Sequence, residues 1–139
     1  MDRLSQHRAY IEAEWRSLQA APLSRRKAML VAALIDAFAD RMFAVEGAED
    51  ILAYRAELAA AHPALGLVMA LCAGRDGMAV VTEAVAVPIA DYGALGVEDF
   101  MVSLYNDHSV QRLRLALPDG ERRDMLVVLG EAIAGLDLA

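Results

Sequence analysis

The residues able to do chemistry in this chain are few and scattered. The densest polar cluster is Asn106-Asp107-His108-Ser109, and the soft ligands are His7, His62, His108 and a single cysteine, Cys72. A metal site needs ligands that converge. No two of these histidines stand three or four residues apart, and none has a glutamate at that spacing. The local helical metal signatures are therefore missing, and one cysteine cannot build a thiolate zinc knuckle. A site drawn at long range from His62, Cys72 and His108 has no ligand spacing behind it. No metal and no cofactor is expected.

Nucleophilic catalysis needs a nucleophile, a base and an orienting group. None of the serines lies in a G-x-S-x-G elbow. Cys72 sits in the apolar run ALGLVMALCA, with Arg75 as the nearest cation in sequence. A reactive thiolate wants cationic surroundings, so Cys72 reads as a buried, inert thiol. A Cys72–His108 dyad is the sharpest catalytic arrangement that can be written, and an enzyme is not the expected outcome. Asp36 and Asp40 lie four apart on a helix and read as a solvated face. Asp91, Tyr92, Glu98 and Asp99 share a glycine-containing loop. Loops carry function more often than cores do, so a small-ligand pocket, if present, is expected near loop 88–99, Cys72 and His108. Neither a dinucleotide nor a P-loop fingerprint occurs.

The bland readings of the histidines are a partly exposed helix residue for His7, a helix end before proline for His62, and a turn residue for His108. Asn106–Ser109 in particular reads as a four-residue hairpin loop between FMVSLY and VQRLRLAL, because Asn and Asp tolerate left-handed backbone.

These residues must be positioned by a chain of 139 residues, 58% apolar and 24% charged, which suits one folded domain. The net charge of −7 is uneven. Residues 42–107 hold ten acidic and two basic residues, whereas residues 1–41 hold five and seven. An acidic centre repels phosphate, so nucleic acid is not an expected partner even though Arg25, Arg26 and Lys27 adjoin. The longest apolar candidate, residues 64–73, is too short to span a bilayer, and the polar N-terminus lacks a secretory h-region. A lone cysteine fits the cytoplasm. Abundant arginine and alanine with one lysine suggest a bacterial source.

Periodicity predicts three helices first. In residues 4–20, Leu4, Ile11, Trp15 and Leu18 form a stripe with a polar gap at His7 or Arg8. Residues 24–47 carry Leu30, Val31, Leu34, Ile35, Phe38, Met42 and Val45, with Ser24 as N-cap and Gly47 as stop. Residues 49–61 present Ile51, Leu52, Arg55, Leu58 and Ala59. After Pro63 the pattern changes. Residues 65–73 and 78–87 flank a GRDG turn and read as strands, although Leu, Ala and Met equally allow a short helix at 64–73. FMVSLY reads as a strand paired with 110–117, with a helix over 97–106 as its competitor. Asp119 is placed to cap a last helix, 121–136.

The sum is an α+β fold in one domain, residues 1–139: a helical part (1–62), a mainly stranded part forming a small antiparallel meander (63–118), and a C-terminal helix (119–139). Tyr10, Ile11, Trp15 and Leu18 make the first helix a candidate protein interface, since Trp and Tyr are favoured anchors. Strands apolar on both faces need cover on both sides. A homodimer is the commonest way to supply it. The expected role is a non-enzymatic protein-binding or accessory module. A small-molecule sensor or small enzyme is the alternative, and a nucleic-acid-binding regulator the least favoured.

Overall fold

A computed structural model describes residues 2–105 and 107–138; Asn106, part of the expected turn, lies outside the described residues. The order is α1 (Arg3–Ala20), α2 (Arg25–Glu46), α3 (Ile51–Ala61), α4 (Pro63–Cys72), β1 (Ala79–Ala86), a 3-10 turn (Ile89–Ala94), α5 (Val97–Tyr105), β2 (Ser109–Ala116), β3 (Arg122–Asp124) and α6 (Met125–Leu138). This is an α+β chain: helices first, a three-stranded antiparallel sheet in the order β1-β2-β3, and a helix last.

The helix starts follow local chemistry. Asp2 accepts from the Ser5 amide at 2.7 Å, Ser24 from Lys27 at 3.2 Å, and Asp50 from Leu52 and Ala53 at 3.0 and 3.3 Å. Each satisfies an amide that the first turn leaves without a partner. Gly47 ends α2 at φ 68°, a left-handed backbone that costs glycine least. Lys27, in an unfavourable position for the α2 dipole, donates to Ser17 Oγ of α1 at 2.8 Å.

The core joins α1, α2, α4, α6 and the inner face of β2, where Leu113 and Leu115 are fully enclosed. Alanines carry much of the contact surface of α2. Ala28, Ala32 and Ala39 are buried beside Val31, Ile35, Phe38 and Met42, while Leu30 and Val45 are exposed. In α3 only Leu58 is buried, and Ile51 and Leu52 face outward. Small side chains let the helices approach closely, so some of the larger residues expected inside are displaced to the surface.

His7 fills the gap in the α1 stripe and corrects its reading as partly exposed. It is 5% exposed, its Nε2–H donates to the Leu34 carbonyl at 2.7 Å, and its ring meets the edge of Phe38. Arg55 corrects the reading of Asp36 and Asp40 as merely solvated. Its guanidinium bonds the Asp36 carboxylate, the Asp36 carbonyl at 3.2 Å and the Asp40 carboxylate at 2.9 Å. Burial works against that charge, but Asp36 and then Asp40 outweigh it and raise the Arg55 pKa.

Two strand expectations give way to their helical alternatives. Residues 63–72 form α4, with Pro63 in the first turn where its missing N–H costs nothing. FMVSLY lies in α5, with Glu98 and Asp99 at the helix start. Residues 63–118 are therefore not mainly strand. Asp119 does not cap a helix either; it accepts from the Glu121 amide within the β2–β3 turn, and Asp124 caps α6 through Val127.

Candidate functional site

The two proposed sites fare differently. In the α1 interface, Ile11 and Leu18 belong to the core, Leu18 at 0% exposure, and are not available to a partner. Trp15 is partly buried with its ring against Gly130 of α6. Of the four residues only Tyr10, 54% exposed, remains a surface side chain. Helical spacing marks a buried stripe without saying that the burial is internal, and here α2 and α6 provide it.

The polar site near residues 88–108 is partly assembled. The Tyr92 hydroxyl and His108 Nδ1 are hydrogen-bonded, and the Tyr92 ring meets Phe100 edge-on at 5.5 Å. Asp107 and His108 adopt positive φ, 52° and 60°, as expected of a turn. The turn joins a helix to a strand, however, rather than two strands. The His108 amide donates to Ser103 at 2.9 Å, and the Val87 amide donates to the His108 carbonyl at 2.6 Å. Asp99 bridges to Arg112 of β2 at 3.0 Å. Asp91 is exposed in the 3-10 turn.

Glu98 and Asp99 line an open cleft of about 460 Å³, together with the α1–α2 turn, Gln111 and Arg112. Tyr92, His108 and Cys72 do not line it. Cys72 belongs to another part of the molecule, at the end of α4. Its thiol is half-buried, and burial, followed by the charge of Asp36, pushes its pKa up to about 11. A Cys72–His108 dyad therefore has no geometric support: the ring partner of His108 is Tyr92, and the charged neighbours of Cys72 are Asp36 and Arg55. A thiol with a raised pKa is also the opposite of an activated nucleophile. Among the described residues, no three His, Cys, Asp or Glu side chains converge as metal ligands would. His62 links α3 to α4 and packs against Gly135 of α6, where a Cβ would lie 3.2 Å from its ring.

Sequence reasoning missed the most unusual surface, α5 itself. An α-helix turns about 100° per residue, which puts Leu104, Val97, Met101 and Tyr105 on one stripe. That stripe faces outward: Val97 is 81% and Tyr105 83% exposed, and Met101 and Leu104 are each about half exposed. Ser103 instead faces inward, 0% exposed with its Oγ donating to the Phe100 carbonyl at 2.8 Å, while Asp99 and Glu98 stay at the surface, Asp99 reaching Arg112. The helix buries a small polar side chain and leaves its large apolar ones outside.

A second open feature is the outer edge of β1. Within the described residues β1 pairs only with β2, in register from Ala79↔Ala116 to Ala86↔Ser109. Because the Val87 amide points to β2, the alternation of an antiparallel ladder turns the amides of Val80, Thr82, Ala84 and Ala86 away from it. The strand, AVVTEAVA, holds no lysine or proline to block pairing. Its single charge, Glu83, faces Arg114 and Arg122 on the open sheet face at 3.5 and 3.8 Å.

No family model, curated protein or solved structure matches this chain. No helix among the described residues is long and apolar enough to cross a membrane.

Proposed function

We propose that this chain is a non-enzymatic protein-binding module that works as a homodimer in the cytoplasm. The observation that carries the reading is the outward apolar stripe of α5. An isolated exposed leucine is ordinary, but a contiguous row of large apolar side chains on one helix usually marks an interaction site. The homodimer rests on β1. Two antiparallel copies of an unblocked eight-residue edge pair with the same surface on each side, which is the requirement of two-fold symmetry. With Thr82 opposite its own symmetry mate, the two open faces join into one and Glu83 of each copy keeps its arginines.

A small-ligand reading retains one support, the cleft beside Glu98 and Asp99, whose size falls in the range of ligand pockets. Its cysteine version is disfavoured by the raised thiol pKa of Cys72.

Native mass spectrometry of gently purified protein tests the proposal. The expected species is two chains at micromolar concentration, reduced to one chain by Ala84→Pro, which removes an outward amide without touching the β1–β2 ladder. A single wild-type chain would end the homodimer part. A small added mass on the folded protein, lost on unfolding, would favour the ligand reading.

A further inference from the structure

We infer that the α5 surface receives a cationic amphipathic helix of a partner protein; this rests on the protein-binding reading above. The argument is charge complementarity around an apolar stripe. Residues 88–107 contain Asp91, Glu98, Asp99 and Asp107 and no lysine or arginine. Asp99 is held by Arg112, while Asp91, Glu98 and Asp107 make no ion pair among the described residues. All three are exposed: Glu98 in the first turn of the helix whose Val97, Met101, Leu104 and Tyr105 face outward, Asp107 just past its last residue, and Asp91 in the 3-10 turn that precedes it. An apolar stripe rimmed by one sign of charge attracts its complement and repels its like.

That rule decides among occupants. A second copy of α5 would set the same uncompensated carboxylates against one another, so the homodimer is left to β1. Anionic lipid and nucleic-acid phosphate are repelled on the same grounds, and membrane-surface helices are characteristically rich in lysine and arginine on the polar face, which α5 is not. A protein helix with apolar residues at i, i+3, i+4 and i+7 and arginine or lysine along its flanks meets both requirements. α5 has nine residues, about 13 Å of helix at the standard rise, enough for two to three turns of such a partner. The cleft of about 460 Å³ beside Glu98 gives a long cationic side chain a place to enter.

The test is a fluorescence-anisotropy titration of the full chain with labelled 18-residue probes. One is a leucine–lysine amphipathic helix, one has the same composition scrambled, and one carries the same apolar stripe with glutamine for lysine. The amphipathic cationic probe should bind at least about tenfold more tightly than either control. Binding should fall about tenfold or more in Leu104→Asp. In Glu98→Lys it should fall severalfold and lose much of its salt dependence. Tyr105→Ser, at a more exposed position, repeats the apolar test should Leu104→Asp unfold α5. Equal binding of the scrambled probe, or binding unmoved by both Leu104→Asp and Tyr105→Ser, overturns the inference. Equal binding of the glutamine probe overturns the cationic partner and leaves the protein-binding reading standing. Association with anionic vesicles through α5, read by sedimentation with the same variants, overturns both.

Discussion

The helical body and the segment 88–108 use the same residue types in opposite ways. In the body, α1, α2, α4 and α6 turn their apolar stripes toward one another, and even the polar His7 is drawn inside and given a partner at Leu34. In the segment, α5 turns Ser103 inward and presents its larger apolar side chains to the outside. α2 and α5 both carry apolar residues at helical spacing beside polar ones. The contrast teaches that amphipathicity fixes the existence of two faces. Which face meets the core depends on what the core already contains. Here alanine-rich α2, with α1, α4 and α6, closes the interior without α5, which leaves its apolar stripe for something outside the chain.

The sharpest way to break that comparison is to truncate one leucine in each region. Leu129 of α6 is fully enclosed, whereas Leu104 is half exposed. Leu129→Ala should cost about 3 kcal/mol, by lost burial and the cavity left behind. Leu104→Ala should change stability by no more than about 0.5 kcal/mol, as exposed substitutions do. Urea unfolding measures both. Equal losses would mean that α5 is covered in the free protein, and the comparison would fail.

His7 sharpens the other side. His7→Ala removes both its ring and its hydrogen bond, and should cost about 2 kcal/mol. His7→Phe keeps a ring against Phe38 but leaves the Leu34 carbonyl without that donor, and should cost about 1 kcal/mol. If the two variants lose the same stability, the ring packing contributes nothing and His7 acts through its bond alone. A smaller effect belongs to Arg55. Its partners are partly exposed, so a double-mutant cycle of Arg55→Met and Asp36→Asn should give a coupling of about 1 kcal/mol, weakened by salt.

The same contrast explains what the sequence reveals. The α2 helix, its Ser24 cap and its Gly47 stop are legible because they are local: one side chain, one amide and one backbone angle. β2 is legible because Leu113 and Leu115 alternate with Arg112 and Arg114. α4 stays open between strand and helix, because a ten-residue apolar run has no polar residue to reveal a period. α5 stays open for a related reason: FMVSLY suits a strand beside β2 as well as it suits a helix. Of the candidate site, loop 88–99 and His108 are named together by composition alone, and no feature of the sequence pairs Tyr92 with His108. The separation of Cys72 from both is not legible either, because sequence distance does not say on which element a residue comes to rest. Ile11 and Leu18 make the same point, since a stripe suited to a partner is also suited to α2.

Cys72 gives the smallest effect and a test of the body's interior. Its thiol is pushed up to about 11, first by burial and then by Asp36. The thiolate is the reactive species, so at pH 8 the folded protein should react with a disulfide reagent much more slowly than the urea-unfolded chain, whose thiol has an ordinary value near 8.5. The native rate should keep rising toward pH 11, where an unperturbed thiol would already have levelled off. The sign for stability follows from the same shift. The fold disfavours the charged form, so the contribution of Cys72 is fully present below the unfolded value and is lost as pH rises from there through about 11. Cys72→Ala removes that dependence, so the wild type should lose stability relative to Cys72→Ala across this window. A native rate at pH 8 equal to the unfolded rate would place the thiol outside the packed end of α4, and would reopen it as a reactive group.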